Sequence, residues 1–516
     1  MASEVGDRGT AEDGSWENIS DMAMHWADVR PEAPALYEGH ATIDWRTLGA
    51  HVRAAALELR QRGVKEDESI GIALGNSSEL IIALLAAMRI GAIPLVMSPR
   101  LAEDALTSLV GKFALSAIVV EAIADRKLAP ITINLAPGWR PQPVPSGTDA
   151  RSVRTADQNQ AAILSSGSSG EPRAHVNTQR KRMMRAAGRL IAHPQRWSAE
   201  RTGVLVLTGS LASAMQQDSF LTQLTIGGPT AIGPLPATPG DLARSLGAWD
   251  GAICVLNPNQ CRALLRCAVP ERLVLPRAQL MRIGGEMMSA DEKRAMLQRV
   301  TPNFCESYGS AGTGTITVAQ PEEVAAKPET VGRPFHGVEI QIVDENDRPV
   351  PANVIGRIRV RGRLVGGGFL AADGGDPAAP ETYRDGWVYP GDMGALDTDG
   401  FLILKGRLGE RIVQNGAAVF AAEIEAGLSA IEGVSEVAVV KRSAASGAGD
   451  EAVAFVVKRT DLSHDALRAS LAARLPPGKV PPLIFYIEQL PRSPAGKIDR
   501  QALRRFAMQP QQVNRR

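Results

Sequence analysis

The sequence is short of cysteine and of net charge, and each shortage excludes a class of protein. Its 516 residues include four cysteines, too few for a disulfide framework at this length and at spacings that match no zinc-ligand pattern. We therefore expect Cys254, Cys261, Cys267 and Cys305 to be reduced, buried thiols of a cytoplasmic protein. The formal net charge of +1 gives no support for long-range attraction to nucleic acid or to an anionic membrane.

Long hydrophobic runs are also missing. The most apolar stretch, residues 80–97, is interrupted by Arg89, Gly91 and Pro94. A membrane-spanning helix needs about 20 consecutive apolar residues. The pattern therefore predicts a buried helix followed by a strand, and no membrane span. Residues 1–18 are polar and acidic and contain no apolar segment of the kind that a secretory signal needs.

Helical and strand patterns alternate over the first two thirds of the chain. Apolar residues recur at helical spacing around residues 52–59 and again at Met183, Ala187, Leu190 and Ile191. Short apolar runs predict buried strands at 161–164, 203–207, 252–256 and 280–283. Such alternation favours an α/β core with largely parallel sheets.

The pattern changes from about residue 338. Short, half-exposed strands are predicted at 338–343 and 355–361, as in a small antiparallel or barrel unit, and 366–380 is a Gly-rich loop. Beyond Gly406, strands near 437–440 and 452–457 and a helix over 465–475 indicate a separate small domain of about 100 residues. We predict a disordered tail at 1–18, a large domain at 19–407, a small domain at 408–507 and a tail at 508–516.

A run rich in serine and glycine follows the first of those predicted strands. It reads Ser165-Ser166-Gly167-Ser168-Ser169-Gly170, and Glu171, Pro172 and Arg173 come next. Glycines let the backbone approach a ligand closely, and successive N–H groups and hydroxyls can surround phosphate oxygens beside a cation. A flexible surface loop explains the composition equally well. A Walker A loop is excluded, because that motif needs four residues between its glycines and then Gly-Lys-Ser/Thr.

The run resembles the phosphate-binding loop of the adenylate-forming superfamily: acyl- and aryl-CoA synthetases, peptide-synthetase adenylation domains and luciferases. That motif reads approximately Ser/Thr-Ser-Gly-Thr/Ser-Thr-Gly-x-Pro-Lys, with Arg173 here at the lysine position. The resemblance covers about residues 20–507. Its other segments follow in the family's order: Gly284-Gly285-Glu286, Glu306-Ser307-Tyr308-Gly309-Ser310, Val331-Gly332-Arg333-Pro334, Gly391-Asp392, Gly406-Arg407, and Leu490-Pro491 through Gly496-Lys497 to Arg500.

The resemblance implies an architecture and a reaction. The expected fold is α/β, with a large N-terminal domain of two α/β subdomains plus a small β-barrel-like unit, followed by a small mobile α+β C-terminal domain. The expected enzyme is an acid–thiol ligase, similar to AMP-forming acyl-CoA synthetases. It would use ATP to convert a small carboxylic acid to an acyl-adenylate with release of pyrophosphate, and then pass the acyl group to a thiol.

The resemblance also implies roles for individual residues. Lys497 would be catalytic, bridging the carboxylate and the α-phosphate. Leu408 and Gly409 would form the hinge, and Gly416 would line the pantetheine path. The implied co-substrates and cofactors are ATP, Mg²⁺, and either CoA or the phosphopantetheine of a holo carrier protein. The ATP-binding residues would be Ser165, Ser166, Gly167, Ser168, Ser169, Gly170, Arg173, Gly285, Glu286, Tyr308, Gly309, Ser310, Asp392 and Arg407.

Two departures from the family pattern concern the metal and the acid. After Ser310 the family usually has Thr-Glu, whose carboxylate helps to hold Mg²⁺, whereas this chain has Ala311-Gly312, so no protein ligand for the metal is assigned. Thr313 and Thr315 are the candidate replacements. Amino-acid-activating domains place an aspartate where an ungapped alignment puts Ala214, which argues against an α-amino acid, although a small gap would bring Asp218 to that place.

Three functions stay open on the sequence. The first is a free-standing acid:CoA ligase, and the second is a ligase that loads a carrier protein. The third is a catalytically impaired nucleotide-binding protein, suggested by Gly312 and by the absence, in residues 208–213, of the aromatic-His pair common in acyl-CoA synthetases. The sequence indicates neither the acid nor the oligomeric state.

Overall fold

The computed structural model describes residues 16–121, 127–142, 144, 148–166, 172–198, 202–269, 271–366, 368–370, 383–414, 417–443, 449–492 and 498–508. Within these residues the helices are α1 (Ser20–Val29), α2 (Trp45–Gln61), α3 (Ser78–Arg89), α4 (Glu103–Lys112), α5 (Gln179–Ala192), α6 (Ala214–Thr225), α7 (Pro239–Gly247), α8 (Pro258–Cys267), α9 (Ala290–Arg299), α10 (Pro321–Ala326), α11 (Ala421–Ser429), α12 (His464–Ala472) and α13 (Arg500–Met508). Short 3₁₀ turns lie at Leu408–Glu410 and Pro477–Lys479.

The strands of the described residues, in chain order, are β1 (Pro34–Glu38), β2 (Ala41–Asp44), β3 (Ser69–Ala73), β4 (Ile93–Val96), β5 (Ala117–Glu121), β6 (Ile131–Leu135), β7 (Gln160–Ser166), β8 (Pro172–Thr178), β9 (Leu205–Val206), β10 (Thr230–Ile232), β11 (Ile253–Leu256), β12 (Leu280–Ile283), β13 (Phe304–Ser310), β14 (Gly314–Ala319), β15 (Arg333–Pro334), β16 (Glu339–Val343), β17 (Gly356–Arg361), β18 (Gly368–Phe369), β19 (Tyr383–Arg384), β20 (Trp387–Val388), β21 (Asp392–Leu396), β22 (Leu402–Arg407), β23 (Arg411–Gln414), β24 (Ala417–Phe420), β25 (Val434–Ser443), β26 (Asp450–Lys458) and β27 (Leu483–Tyr486).

The chain divides into two compact units. Of the described residues, unit 1 holds those in 16–166, 172–340 and 360–388, and unit 2 holds those in 341–359 and 389–508. The hinge predicted at Leu408 and Gly409 falls within unit 2, and motion about it stays a prediction.

Unit 1 contains two sheets built mainly from parallel strands. In the described residues the first has the order β18-β8-β7-β4-β3-β5-β6, and the second β15-β14-β13-β12-β11-β9-β10-β1-β2. Strands β9 to β13 and β1 of the second sheet are parallel, so their carboxyl ends share one edge. Ligands of open α/β sheets bind at that edge. The family resemblance predicts an acid pocket near residues 212–217, 284–286 and 307–314, and the first two of these segments follow β9 and β12 there.

The helices of unit 1 begin where the sequence supplies caps. Asn257 and Gln260 bond reciprocally to each other's backbone N–H at the start of α8, and Ser289 and Glu292 do the same at the start of α9. Each such cap satisfies two backbone donors that the first turn of a helix leaves unpaired, and is worth about 1 kcal/mol. These capped helices follow β11 and β12, so each cap fixes the residue at which the loop after the strand ends and the helix begins.

Residues 80–97 form a buried helix and strand, as predicted. α3 is buried from Leu80 to Arg89, and β4 follows after a turn at Gly91, whose φ is +75°. No helix in the described part of the chain is long and apolar enough to cross a membrane.

Unit 2 is built from smaller sheets. Gly356 and Arg357 of β17 pair with β21, and β21 pairs with β22. β23 pairs with β24, and β25, β26 and β27 form a further sheet covered by α11 and α12 through a shared apolar core. The predicted fold class is confirmed, while the predicted mobility of the C-terminal domain is not tested.

Some sequence-based predictions were wrong in detail. Asn18, placed in the tail, is fully buried, and its amide donates to the Met88 carbonyl at 2.7 Å. Cys254, Cys261 and Cys305 are buried free thiols as expected, but Cys267 is only half-buried. Ile191, one of the apolar residues at helical spacing in α5, is 59% exposed; the face of α5 that is buried is described below.

Candidate functional site

The Ser/Gly loop connects the two strands of a hairpin. Ser165 and Ser166 end β7 and pair with Arg173 and Pro172 of β8. The register therefore places Arg173 beside the base of the loop, where its guanidinium lies 5.9 Å from the Phe369 ring. Gly167, Ser168, Ser169 and Gly170 lie outside the described residues, so their contact with phosphate stays a prediction.

The segments predicted to surround the acid meet at the end of β12. A side chain at Gly284 would lie 2.8 Å from the Ser307 carbonyl oxygen and 2.9 Å from the Met215 sulfur, so only glycine fits there. Gly285 follows with φ +91°, in the left-handed region that favours glycine. Its exposed position and the half-buried Glu286 leave this turn open to a ligand.

Tyr308 and Ser310 lie on the neighbouring strand, β13. Tyr308 is half-buried opposite Thr317, and a bulge follows it before Gly309. The Ser310 and Thr313 hydroxyl oxygens lie 2.9 Å apart, and each accepts the other residue's backbone N–H at 3.1 Å. Thr313 is 3% exposed, so its hydroxyl is committed to the turn and is not available as the replacement metal ligand.

His175 explains why residue 312 has no side chain. A Cβ at Gly312 would lie 2.8 Å from His175 Nδ1 and 2.9 Å from its Cε1. The imidazole packs at 4.6 Å on the Phe369 ring. Burial, with the charges of Arg173 and Arg185, lowers the pKa of His175 to about 4, so the ring is neutral near pH 7. Since the ring occupies the space, the carboxylate usual in the resembled family has no room here.

Residues 311–313 therefore offer magnesium no side-chain ligand, and Thr315 stays a candidate. Ala311 and Gly312 offer no oxygen-bearing side chain, and the Thr313 hydroxyl is engaged in the turn. Across the described ranges, no group of three or more His, Cys, Asp or Glu side chains could hold a metal ion.

In unit 2, the predicted ribose-side residues form an ion pair. Asp392 and Arg407 lie opposite each other on β21 and β22, and Arg407 Nε donates to Asp392 Oδ1 at 2.9 Å. Arg407 Nη1 also donates to the Pro390 carbonyl at 3.0 Å. The arginine thereby orients the carboxylate.

The predicted hinge and catalytic loop also lie in unit 2. Leu408 and Gly409 form a 3₁₀ turn directly after β22, and the Leu408 N–H donates to the Gly391 carbonyl at 2.9 Å. An antiparallel bridge between Arg492 and Ile498 closes the base of the loop that carries Lys497. Lys497 itself and Gly416 are outside the described residues.

Comparison with known proteins agrees with this arrangement. Residues 24–370 match the AMP-binding enzyme family, and residues 423–497 match the AMP-binding enzyme C-terminal domain. The chain belongs to the AMP-binding enzyme family. The superfamily resemblance predicted from the motifs is thereby confirmed.

Relatives within the AMP-binding family are distant but cover nearly the whole chain. A 2-succinylbenzoate–CoA ligase of Bacillus cereus (strain ATCC 10987 / NRS 248) is 24% identical over 508 residues, 95% of this chain and 99% of the ligase. Tyrocidine synthase 2 of Brevibacillus parabrevis is 24% identical over 94% of this chain, but the chain spans only 14% of that protein's length. ATP-bound MatB from Rhodopseudomonas palustris shares the fold, with a TM-score of 0.83 at 21% identity, covering 95% of this chain and 99% of MatB.

A cluster of buried arginines, not predicted from the sequence, lies in unit 1 between α5, α6 and β12. Arg182, Arg185, Arg189 and Arg282 are each at most 3% exposed, and they surround Asp218. Asp218 accepts hydrogen bonds from Arg182 at 3.4 Å and from Arg189 at 2.5 Å. Desolvation lowers the pKa of Arg185 and of Arg282 to about 10. Residues 182, 185 and 189 share one helix face, so their spacing would have predicted a buried face if arginine had been considered as a core residue.

This cluster decides the role left open for Asp218. A carboxylate that clamps an amine must face the ammonium without competing cations. The neighbouring arginines hold the pKa of Asp218 down against the effect of its burial, and both carboxylate oxygens already accept guanidinium N–H groups. Asp218 is therefore part of an internal ion network, and the gapped alignment that would make it an amine clamp is not supported.

Proposed function

We propose that this protein activates a carboxylic acid with ATP, releasing pyrophosphate, and transfers the acyl group from the adenylate to a thiol. The observation that carries the proposal is the β7–β8 hairpin, which sets Arg173 opposite Ser165 at the base of the Ser/Gly loop. Membership of the AMP-binding family and the Asp392–Arg407 pair support it.

The residues have separate tasks in this proposal. The Ser/Gly loop and Arg173 hold the β- and γ-phosphates. Asp392, oriented by Arg407, accepts hydrogen bonds from the ribose hydroxyls. Lys497 neutralises the charge that develops between the acid's carboxylate and the α-phosphate as the new P–O bond forms and the pyrophosphate bond breaks. Magnesium bound to the phosphates of ATP would supply further neutralisation, and the tasks of these residues do not depend on a protein ligand for it.

The acceptor thiol is proposed to be that of CoA. A relative named as a CoA ligase, 24% identical to this chain, supports that choice. Assays of acyl transfer to CoA and to a holo carrier protein, each with the same acid, separate the two acceptors. We expect acyl-CoA to accumulate and the carrier protein to stay unacylated; the reverse result assigns a carrier-loading ligase, and adenylate without either thioester contradicts the transfer step.

The alternative of a catalytically impaired nucleotide-binding protein is favoured by the His175–Gly312 contact, which removes the usual carboxylate. Acid-dependent release of pyrophosphate from ATP distinguishes the two functions. We expect release with at least one acid from a panel of short aliphatic, fatty, aryl and dicarboxylic acids, and its absence with all of them would favour the impaired protein.

A carboxylate restored at residue 312 is predicted to require removal of His175. Gly312→Glu alone should destabilise the protein by about 1–3 kcal/mol, because its Cβ overlaps the imidazole and a packed site does not accept extra atoms freely. His175→Ala combined with Gly312→Glu should recover that stability and lower the Mg²⁺ concentration needed for half-maximal pyrophosphate release. Urea unfolding and a magnesium titration measure the two effects.

Gly312→Ala is the matched control, since it adds the Cβ without the carboxylate. It should be destabilised like Gly312→Glu, and His175→Ala should rescue it, but its magnesium requirement should not change. A Gly312→Ala variant as stable as the native protein would show that the imidazole does not occupy this space.

A further inference from the structure

The buried arginine cluster has more donors than partners. Arg182 uses Nη2 for Gln217 and Asp218, Arg189 uses Nη2 for Asp218, and Arg282 uses Nη2 for the Ser219 hydroxyl at 3.2 Å. Among the residues that the structure describes, the Nε and Nη1 atoms of all three arginines are buried without a hydrogen-bond partner. An unsatisfied buried donor destabilises the folded protein, and more so when it is charged, so these six nitrogens mark a place where an acceptor is missing.

The number of positive and negative charges in the cluster also indicates that an acceptor is missing. Four guanidinium groups surround Asp218. Within the described residues, Asp218 is the one carboxylate that forms an ion pair with any of them. Buried charges are normally paired, and the chain follows that rule elsewhere: Arg89, 5% exposed at its side chain, contacts the carboxylates of Asp21 and Asp149. The excess of positive charge around Asp218 therefore attracts an anion and repels a cation.

The cluster borders the segments that meet at the end of β12. Arg282 lies two residues before Gly284, and Gln217 and Ser219, which bind Arg182 and Arg282, flank Asp218 on the helix that carries Met215. Arg185 donates from Nη2 to the Gly312 carbonyl at 3.3 Å. Through Arg282 and Arg185, the cluster thus adjoins the segments that the family resemblance predicts to surround the acid.

We propose that the acid substrate carries a second carboxylate, and that Arg182, Arg189 and Arg282 hold it while the first carboxylate reacts. This inference rests on the proposed function and names its substrate class as dicarboxylic acids. The same excess of positive charge selects against α-amino acids, whose ammonium group would approach the cluster with no free carboxylate to meet it.

The test compares each diacid with its own monoamide, which keeps the size and removes one charge. The probes are malonate, succinate, glutarate and phthalate and their monoamides, assayed by pyrophosphate release. For the best pair we expect kcat/KM to favour the diacid by about ten- to a hundredfold, the range for a hydrogen bond to a charged group. Arg182→Met and Arg282→Met should each reduce that preference at least tenfold.

Arg180→Gln is the matched control, because Arg180 lies on the same helix but is a third exposed at its side chain and pairs with Asp157 at 2.8 Å. Its diacid preference should equal that of the native protein. Equal use of diacid and monoamide by the native protein, or an undiminished preference in both methionine variants, would overturn the inference while leaving the proposed function intact.

A binding measurement keeps the two proposals separable. If no acid supports pyrophosphate release, the proposed function fails, and thermal shifts with the same acid pairs decide the subsite. A larger increase in Tm with the diacid than with its monoamide, lost in Arg182→Met and Arg282→Met and kept in Arg180→Gln, supports a dicarboxylate site. Equal shifts, or none, overturn it.

Discussion

Replacement of Lys497 by alanine is expected to slow adenylate formation by about 10²- to 10³-fold, the usual effect of removing one preorganised charge from a reacting centre. The ammonium is a compact point charge on a flexible stem, suited to bridge two oxygens whose positions change during the reaction. Because the interaction develops in the transition state, kcat should fall and the KM for ATP should change little. Single-turnover quench measurements of acyl-adenylate give the rate directly.

Lys458→Ala provides the matched control, since Lys458 is also in unit 2, is partly exposed and lies 3.8 Å from Asp461. Its adenylation rate should stay within about twofold of the native rate, as is usual for a surface charge. Supplying a chemically prepared acyl-adenylate to the Lys497→Ala variant tests the second half-reaction alone. A native rate of adenylation in Lys497→Ala would remove the role assigned to this residue.

Asp218→Asn is expected to lower the free energy of unfolding by about 3–5 kcal/mol, because it leaves the buried arginines without their carboxylate. The carboxylate accepts from Arg182 and Arg189 and interacts with Arg185 and Arg282. An amide oxygen can still accept a hydrogen bond, so the loss measures the charge rather than the packing. Urea unfolding, followed by circular dichroism, measures the change.

Two further variants serve as controls for this prediction. Asp250→Asn removes a carboxylate that is 76% exposed and 3.8 Å from Arg277, and should change stability by less than about 1 kcal/mol. Adding Arg189→Met to Asp218→Asn removes one of the uncompensated cations and should restore part of the stability. A loss below about 1 kcal/mol in Asp218→Asn would show that the cluster is hydrated or discharged in solution.

Local patterns were sufficient to predict much of the fold. β12 was predicted at its observed bounds, and the helix and strand of residues 80–97 follow from apolar runs punctuated by Gly91 and Pro94. α5 shows where this reasoning fails. Its buried face carries Arg182, Arg185 and Arg189, because groups on α6 and in the loop at Gly312 accept hydrogen bonds from side chains that hydropathy alone places in solvent.

The candidate site was also predicted only in part. The neighbours Asp392 and Arg407, and the convergence of Gly284, Ser307 and Met215, follow from motif order once the family fold is assumed. The contact of His175 with Gly312 joins residues 137 positions apart, and neither residue alone indicates it. The departure from Thr-Glu was visible in the sequence, but its steric cause required the structure.

The most direct test of the central claim is detection of the acyl-adenylate itself. The native protein, incubated with ATP, Mg²⁺ and the acid panel without any thiol, should yield an acyl-AMP identified by mass spectrometry, with one pyrophosphate released for each adenylate formed. The product should require both ATP and the acid, and later addition of CoA should consume it. Pyrophosphate release without acid, or no acyl-AMP with any acid despite measurable ATP binding, would contradict the account.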